Sequence, residues 1–405
     1  MEDIFVGRQS IYNNKLEVYA YELLYRASEE NRAGVTDQDL ATSQTIINAF
    51  LEIGIEKITG PHFAFINLNR EFLLNENLRQ LPKEKVVLEI LEHVPATEDV
   101  IRSVKALVQA GYTIALDDFV YRGALEPLID QASIIKIDIQ ALSKDEIETH
   151  FRQLKKRPLT LLAEKVETPE EYEYCKALGF DLYQGFFLSR PKVVKGKRIP
   201  ANRLVILQLL AKLQNPDVEM RELAQLITQD VSFSYRVLRY INSAYFSVSK
   251  KVESIPHALT LLGLKHIRQL VSLLALTKID DKPTDLLNTA IIRAKMSEQC
   301  AAALALPDTD TYFTAGLFSV LDALLDMPMQ EVIKGLPLAD EVCTALLGQE
   351  GKYGTVLKAV IAYEQGDWDK VNLPGLEPGT ITDIYLKSLS WADQVLHAVQ
   401  AHPAD

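Results

Sequence analysis

The chain has 405 residues, of which 48% are hydrophobic and 24% are charged, and its formal net charge is −12. This composition is typical of a soluble globular protein and excludes an intrinsically disordered chain. The acidic balance disfavours a nucleic-acid-binding role for the chain as a whole. At about 150 residues per domain, the length predicts two to three domains.

Cysteine usage and hydropathy predict a cytoplasmic location. The three cysteines, Cys175, Cys300 and Cys343, are widely spaced, as expected for core thiols in a reducing compartment. The first residues lack the apolar region of a signal peptide. Polar residues interrupt the longest apolar stretch, Leu261–Leu276. We therefore predict no membrane span, because a span needs about 18 apolar residues.

Residues 1–190 alternate short apolar runs with segments of helical spacing. The predicted strands are Ile4–Gln9, Phe63–Leu68, Val86–Leu91, Thr113–Asp118, Ile134–Ile139, Thr160–Glu164 and Asp181–Phe187. The predicted helices between them include Gln38–Leu51, Glu98–Ala110 and Pro169–Leu178. This alternation indicates a parallel sheet, and the number of strands favours a closed (β/α) barrel over an open sheet.

The pattern changes after residue 190. Residues 191–200, PKVVKGKRIP, are typical of a linker, and the chain then continues as helices separated by prolines. The predicted helices include Arg203–Leu213, Met220–Thr228, Ser234–Asn242, Ile255–Leu262, Lys265–Ile279 and Leu286–Leu304. The fold class is therefore α/β plus all-α, with a barrel at 1–191, a linker at 192–201 and a helical domain at 202–405.

In the first half, strand after strand ends in an acid, an amide or a lysine. These residues are Glu22, Asn67, Glu89, Glu92, Asp117, Asp118, Lys136, Asp138, Glu164, Glu167 and Gln184. Any one of them could be a cap, a turn residue or a salt-bridge partner. In a parallel barrel, however, the carboxyl ends of the strands meet at one mouth. Such a ring of oxygen ligands suits Mg²⁺ or Mn²⁺, and without a cation the carboxylates would repel one another.

The order of these motifs resembles the EAL domain family, which comprises cyclic di-GMP phosphodiesterases and non-catalytic relatives. The resemblance covers residues 1 to about 191 and includes Glu22-Leu23-Leu24, Asp117-Asp118-Phe119, Lys136-Ile137-Asp138 and the stretch AEKVET. It implies a modified (β/α)₈ barrel whose first strand runs antiparallel to the others.

The resemblance also implies a role for each matching residue. The implied direct metal ligands are Glu22, Asn67, Glu89 and Asp117. Asp118 would help to hold a second ion, and Glu167 and Gln184 would support metal and water. Two ions, Mg²⁺ or Mn²⁺, would then be bound in each barrel.

The remaining implied roles concern catalysis and the ligand. Glu164 would be the general base, and Lys136 would contact the water nucleophile or the scissile phosphate. Arg26 would pair with a ligand phosphate, and Glu92 would anchor the loop after Asp118. Leu24, the third residue of the signature, is expected to support the ligand or this loop.

Three stretches depart from the family pattern, and one of them, ASEENRAG after Arg26, lacks the usual Trp and His-Pro elements. The Gly-Thr-Gly-Tyr type of loop after Asp-Asp-Phe is replaced by Val120, Tyr121 and Arg122, and Lys165 stands where the family carries glycine. Glycine permits backbone conformations that other residues resist. These departures leave two hypotheses open, an active phosphodiesterase and a non-catalytic protein that binds cyclic di-GMP or a protein partner.

The second half resembles an HDOD domain, a helical relative of the HD phosphohydrolases without their metal site. The matching stretches lie at Glu222–Phe246, Val252–Val271 and Thr314–Asp326, and Ser319 and Val320 stand in place of the His-Asp pair. His257 and His266 are expected to be capping or surface groups. Glu222, Asp230 and Asn242 are expected to be caps or members of a buried network.

The combined resemblance predicts a bacterial signalling protein. Its barrel would hydrolyse cyclic di-GMP to linear pGpG, and its helical domain would contact an unidentified signalling protein. The alternative is a non-catalytic adaptor with the same two domains. The sequence leaves open whether the protein is a homodimer.

Overall fold

The computed structural model describes residues 4–27, 54–118, 125–186, 201–215, 217–228, 231–242, 252–277, 279 and 282–400. The chain divides into two compact units. Unit 1 contains Met1–Arg190 with the short stretches Tyr363–Trp368 and Glu377–Thr382, and unit 2 contains the remainder of the chain. The predicted helix Gln38–Leu51, Val120 to Arg122 and most of the predicted linker lie outside the described residues.

Unit 1 contains a closed eight-stranded barrel in which the strands follow one another in chain order. The strands are β1 (Ile4–Asn13), β2 (Val18–Ala27), β3 (Phe63–Leu68), β4 (Val86–Ile90), β5 (Thr113–Leu116), β6 (Ile134–Asp138), β7 (Thr160–Glu164) and β8 (Leu182–Gln184). Strands β2 to β8 are parallel, and β1 is antiparallel to both β2 and β8. The prediction of a modified barrel is confirmed, and an open sheet is excluded.

The strand boundaries differ from the predicted ones at several places: β4 and β6 each end one residue earlier than predicted, and β8 covers Leu182–Gln184 rather than Asp181–Phe187. The predicted strands included only Ile4–Gln9 of the N-terminal hairpin, whereas β1 and β2 each have ten residues. Strand β5 ends at Leu116 rather than Asp118. Asp118 has a φ of +39°, which an extended strand cannot contain, so the two aspartates follow the strand.

One apolar residue from each strand fills a layer of the barrel interior. The layer consists of Ile11, Ala20, Phe65, Val87, Ala115, Ile134, Leu162 and Leu182. Successive side chains on a strand point to opposite faces. The next inward-pointing residue on each strand therefore lies two positions away, one level closer to the mouth.

Six helices separate the strands among the described residues of unit 1. They are α1 (Ile55–Thr59), α2 (Arg70–Leu73), α3 (Glu98–Gln109), α4 (Glu126–Ile129), α5 (Lys144–Leu154) and α6 (Pro169–Leu178). Capping boxes begin α5 at Ser143 and α6 at Thr168, where side chains satisfy otherwise unpaired backbone amides. The predicted helices 98–110 and 169–178 are confirmed.

The second half of the chain is helical. Its helices are α7 (Ala201–Gln214), α8 (Met220–Thr228), α9 (Val231–Ile241), α10 (Ile255–Leu276), α11 (Thr284–Ala303), α12 (Thr309–Phe318), α13 (Leu321–Leu325), α14 (Met329–Lys334), α15 (Asp340–Gly348), α16 (Gly351–Glu364) and α17 (Pro378–Gln400). Gly263 has non-helical dihedral angles and breaks α10 at the point where two helices were predicted.

Helix α10 is, among the described residues, the one helix long and apolar enough to meet the length and composition expected of a membrane span. Half of the relevant window is buried inside the protein, and the break at Gly263 interrupts the helix. Its buried residues include Ile267, Leu270 and Leu274. Burial of this kind is expected of a core helix, so the hydropathy of α10 is weak evidence for a span.

Asn242 joins two neighbouring parts of unit 2. Its side-chain amide donates to the carbonyls of Leu238 and Val252, each at 2.8 Å, and its oxygen accepts from the Val252 amide at 2.8 Å. The prediction that Asn242 belongs to a hydrogen-bonded network is confirmed. Glu222 is instead exposed, and Asp230 lies outside the described residues.

Candidate active site at the barrel mouth

Eight polar side chains lie one level above the apolar layer, because each stands two positions from a layer residue on its own chain segment. The eight residues, here called the polar ring, are Gln9, Glu22, Asn67, Glu89, Asp117, Lys136, Glu164 and Gln184. Seven of them are residues predicted from the strand ends, and the structure brings these seven together at the mouth.

Lys136 occupies the centre of the polar ring. Its Nζ atom lies 2.6 Å from Glu164 Oε1, 3.2 Å from Glu22 Oε2 and 3.2 Å from Asp117 Oδ1, and it also binds Glu89. The lysine side chain is 1% exposed. A buried ammonium ion with four carboxylate neighbours is a charge-assisted network, and it leaves the carboxylates in excess over the ammonium ion.

This excess of acid shifts the protonation of the ring. Burial, reinforced by neighbouring carboxylates and opposed by Lys136, raises the pKa of Glu89 and Glu164 well above the ordinary range. Burial also disfavours the Lys136 ammonium, but the surrounding carboxylates raise its pKa well above the usual value. For Asp117, Lys136 and hydrogen bonds outweigh the effect of burial, so its pKa is lowered.

Amide groups fix the orientation of Glu22. Asn67 Nδ2 donates to Glu22 Oε1 at 2.7 Å, and Gln184 Nε2 donates to Glu22 Oε2 at 2.6 Å. Gln184 Nε2 also donates to Gln9 Oε1 at 3.1 Å. The Tyr25 hydroxyl donates to the Asn67 backbone carbonyl. The carboxylate of Glu22 is thus held by neighbouring amides as well as by Lys136.

The donor atoms at the mouth fit a divalent cation. Four buried oxygens in the polar ring accept no hydrogen bond: Asn67 Oδ1, Glu89 Oε2, Glu164 Oε2 and Gln184 Oε1. Buried polar atoms normally have partners, so four acceptors without a partner in one ring fit a site for a cation. Carboxylate and amide oxygens are the ligands that Mg²⁺ and Mn²⁺ prefer.

The carboxylates form two groups that could each hold an ion. Ligand atoms of Glu22, Glu89 and Glu164 lie within 4.8 Å of one another, and so do those of Asp117, Asp118 and Glu164. We call these the first and second carboxylate groups. Both belong to the barrel, and Glu164 is shared between them.

Lys165 lies at the edge of the second carboxylate group. Its Nζ atom is 2.5 Å from Asp138 Oδ2 and 3.2 Å from Asp118 Oδ2. These two carboxylates counteract the effect of burial and raise the pKa of Lys165. Lys165 has a φ of +55°, which is the left-handed conformation that glycine adopts without cost.

Four predicted residues lie apart from the polar ring or cannot be placed by their side chains. Glu92 is half-exposed beside His93, and the loop that it was predicted to anchor is outside the described residues. Glu167 belongs to neither carboxylate group, and its backbone amide donates to Glu171. Leu24 lies close to Gly366 of unit 1. Arg26 is in β2, but its side chain lies outside the described part of the chain.

Two cavities open at the mouth. One, of about 180 Å³, is lined by Gln9, Glu22, Asp117, Asp118, Glu164, Lys165 and Gln184. The other, of about 490 Å³, extends from Asp117 and Asp118 toward Glu92, His93 and Leu125. The two cavities share Asp117 and Asp118. The larger one falls within the size range of ligand pockets. Because Asp117 and Asp118 line it, a ligand bound there would reach these carboxylates.

The structure adds Gln9, which was not among the residues predicted from the sequence, and gives a role to Asp138, which had been predicted only as one of the strand-end acids. Gln9 completes the polar ring from β1. The sequence feature that could have identified it is its position two residues before Ile11 on the antiparallel strand. Asp138 holds Lys165, and its position two residues after Lys136 at the end of β6 is its signal. Both signals require knowledge of the strand register.

The helical half presents a different set of polar contacts. His257 and His266 are exposed on α10. Ser319, at the position where HD relatives would carry a ligand, accepts from Arg293 at 3.2 Å and donates to the Gly316 carbonyl at 2.8 Å. Among the described residues, both groups of potential metal ligands belong to the barrel.

Comparisons with known proteins give the same division of the chain. The family model for the EAL domain matches residues 9–191, and that for the HDOD domain matches residues 199–329. The uncharacterized protein YuxH of Bacillus subtilis (strain 168) is 35% identical over 406 residues, covering 98% of this chain and 99% of its own length.

Two further relatives carry a functional name. The cyclic di-GMP phosphodiesterase CdgJ of Vibrio cholerae is 35% identical over 393 residues, covering 94% of this chain and 89% of that protein. The cyclic di-GMP phosphodiesterase PdeL of Escherichia coli (strain K12) is 32% identical over 165 residues, covering 38% of this chain and 43% of that protein.

Proposed function

Because the chain belongs to the family of proteins that combine an EAL domain with an HDOD domain, we propose that it acts in cyclic di-GMP signalling as a metal-dependent phosphodiesterase. The reaction adds water to one phosphodiester of cyclic di-GMP and gives linear pGpG. The relative CdgJ bears the name of this activity and aligns with nearly the whole chain.

One observation carries the proposal, namely the convergence of seven predicted residues in the polar ring with four orphaned acceptor oxygens. A ring needed only for stability would pair its acceptors, since an unpaired buried polar group is costly. Glu22 and Glu89 of the first carboxylate group, together with Asn67 and Asp117, would hold one cation. Asp117 and Asp118 of the second group would contact another, which leaves Glu164 for the attacking water.

The residues at the mouth suit the hydrolysis of a phosphodiester. Bound divalent cations lower the pKa of a coordinated water and neutralise phosphate oxygens. Glu164 would accept the proton of the attacking water, because burial raises its pKa and its Oε2 atom has no hydrogen-bond partner. The oxygen–phosphorus bond that breaks releases an alkoxide, which takes up a proton from solvent water, and Glu164 returns its proton to solvent, so that one water molecule is consumed overall. Lys136 would keep Glu22, Glu89 and Asp117 oriented toward the mouth.

We further propose that residues 1–191 form the enzymatic domain, that 192–201 connect the domains and that 202–405 form an interaction domain. The helical half places Ser319 and Val320 where a hydrolase would need a His-Asp pair. Because the His-Asp pair is absent, a role in binding a protein partner suits this domain better than hydrolysis. We also expect the protein in the cytoplasm.

A non-catalytic adaptor is the second candidate. The observation that favours it is the ion pair between Lys165 and the two aspartates, Asp118 and Asp138. A lysine at this place supplies a positive charge without a metal. The barrel would then bind cyclic di-GMP without hydrolysing it, and the helical domain would respond to the ligand-bound barrel.

The two candidates are separated by product analysis. The full-length protein is incubated with cyclic di-GMP and Mg²⁺ or Mn²⁺, and the linear product is followed by chromatography. A phosphodiesterase forms pGpG, and EDTA abolishes the product. If the protein binds cyclic di-GMP but forms no pGpG with either metal at any metal concentration, hydrolysis is rejected and the adaptor is the remaining candidate.

A further inference from the structure

We propose that the ammonium group of Lys165, paired with Asp118 at the edge of the second carboxylate group, acts as a tethered cation, so that the barrel binds one divalent ion tightly instead of two. This inference rests on the proposed function, because it assumes that the first carboxylate group binds metal. It concerns a residue that is not expected to touch the reacting phosphate and that would tune metal loading.

The backbone of Lys165 is held in a conformation that disfavours lysine. Its φ is +55°, and the facing residue Asp118 has a φ of +39°. Left-handed conformations are strained for residues with a Cβ. Gln140 Nε2 donates to the Lys165 carbonyl at 3.3 Å and to Glu171 Oε1 at 2.9 Å. The strained backbone aims the side chain back toward the barrel mouth.

The partner of the ammonium is also fixed in place. Asp138 Oδ1 accepts from the backbone amides of Gln140 at 2.7 Å and Ala141 at 3.1 Å, which leaves Oδ2 for Lys165 at 2.5 Å. The side chain of Asp138 is only 12% exposed. A rigid, mostly buried acceptor therefore fixes one side of the ammonium, and Asp118 approaches its other side.

This ion pair lies beside the proposed site of the second ion and shares Asp118 with it. Asp118 belongs to the second carboxylate group with Asp117 and Glu164, and Lys165 lines the same 180 Å³ cavity as these three acids. An ion coordinated by Asp118 must replace the ammonium as its partner and would face a neighbouring positive charge. Electrostatic repulsion between two cations at such short range weakens binding of the second ion.

The first carboxylate group also has a lysine partner, but that lysine is shared by four carboxylates, whereas Lys165 pairs with two. The shared lysine is Lys136, which is buried and surrounded by four carboxylates. Orphaned oxygens remain on Glu89 and Glu164 even with this lysine in place. The two carboxylate groups therefore differ in their remaining capacity for a cation, and the first group should load before the second.

The test uses Mn²⁺ binding to the full-length protein after removal of metals with EDTA. Stoichiometry is measured by calorimetry and by metal analysis after dialysis, and electron paramagnetic resonance distinguishes single Mn²⁺ ions from coupled pairs. We expect one Mn²⁺ per wild-type chain and an uncoupled spectrum. Lys165→Gly should bind two ions with a coupled spectrum, and its second site should bind about tenfold or more tightly than that of the wild type.

Three further variants separate charge from backbone effects. Lys165→Gln removes the charge and should also bind two ions, whereas Lys165→Arg retains the charge and should bind one. Lys155→Gln is the matched control, because Lys155 forms a comparable ion pair outside the mouth. Its Nζ atom lies 2.7 Å from Asp181 Oδ2. It should bind one ion, like the wild type. Circular dichroism checks that each variant is folded.

The outcomes distinguish this inference from the proposed function. Two tightly bound ions in the wild type, or one ion in folded Lys165→Gly and Lys165→Gln, would overturn the role of Lys165 while leaving metal-dependent hydrolysis intact. A wild type that binds no Mn²⁺ and forms no pGpG would reject both. One ion in the wild type and two in the charge-removing variants would support the inference.

Discussion

The side chains of Lys136 and Glu164 meet across the neighbouring strands β6 and β7, with Nζ 2.6 Å from Oε1. Each residue lies two positions beyond an apolar residue of the barrel layer, Ile134 and Leu162. The contact joins the residue proposed to orient the acids to the residue proposed to accept the proton. It also leaves Glu164 Oε2 without a hydrogen-bond partner and therefore available to water or metal.

Replacing Lys136 by Met should destabilise the metal-free protein by about 3–5 kcal/mol, because it leaves buried carboxylates without their ammonium partner. Urea unfolding in EDTA measures the loss. Mn²⁺ should restore more stability to this variant than to the wild type, since the cation replaces the lost charge. Lys155→Met, at an exposed ion pair, is the control. Equal unfolding midpoints for Lys136→Met and the wild type would contradict the central role of Lys136.

Replacing Glu164 by Gln should lower kcat for cyclic di-GMP hydrolysis by about 10²–10⁴-fold, because the amide cannot accept the proton of the attacking water. The substitution preserves shape, so the folded state should remain. Chromatography of pGpG measures the rate. Glu126→Gln, which weakens an ion pair with Arg157 outside the mouth, should leave kcat unchanged. An undiminished rate in Glu164→Gln would assign the base to another residue.

Metal affinity should increase as pH rises. Burial raises the pKa of Glu89 and Glu164 well above the ordinary range, so both carboxyls retain protons at pH values where a solvated glutamate is ionised. Metal binding needs the ionised form and releases these protons. Calorimetry with Mn²⁺ between about pH 5 and pH 8, in buffers of different ionisation enthalpy, counts the protons released. Glu89→Gln should release fewer, and a pH-independent affinity would refute the protonation of these acids.

Replacing Gly185 by Ala should destabilise the barrel by roughly 3 kcal/mol or more. Gly185 has a φ of +147°, and a Cβ atom there would lie 2.1 Å from the Val166 carbonyl oxygen. The clash would push apart Gln184 and the segment that carries Lys165. Gly179→Ala is the control, since Gly179 is left-handed with a φ of +103° and a ψ of +28°, and an added Cβ atom would make only an ordinary contact of 3.4 Å with Phe151. It should cost only about 1 kcal/mol. Similar losses in urea unfolding for both variants would contradict the steric argument.

Replacing Asn242 by Ala should destabilise the helical half by about 2–3 kcal/mol, because three hydrogen bonds to the Leu238 carbonyl and to both backbone groups of Val252 are lost. Urea unfolding, monitored by the helical circular dichroism signal, measures this change in the free energy of unfolding. Gln394→Ala, whose exposed side chain makes one long contact with Ser390, should be nearly neutral. A neutral Asn242→Ala would mean that the network contributes little to stability.

The sequence was sufficient to predict most of the polar ring because two simple regularities combine. Parallel strands present their carboxyl ends at one mouth, and inward side chains recur every second residue. Glu22, Asn67 and Glu89 follow both rules, so their convergence could be expected before any coordinates existed. Asp117 also follows them, although its strand ends one residue earlier.

The rest of the site depends on features that a linear pattern does not contain. Gln9 lies on the antiparallel strand β1. On this strand the residue that faces the mouth precedes the residue of the apolar layer, whereas on the other strands it follows. The ion pair between Lys165 and Asp138 depends on a left-handed backbone at Lys165. The lysine in place of glycine indicated a departure, but the direction of its side chain required the three-dimensional structure.

The stacking of the polar ring directly on an apolar layer drawn from all eight strands has a mechanical consequence. Shifting any one strand by a single residue would turn its polar side chain outward and expose its apolar neighbour, so the acids cannot be rearranged without unfolding the core. We therefore expect physiological control of this protein to act on entry to the mouth or on the charges at its rim. The ring itself should behave as a rigid part, with the same resistance to deformation as the hydrophobic interior below it.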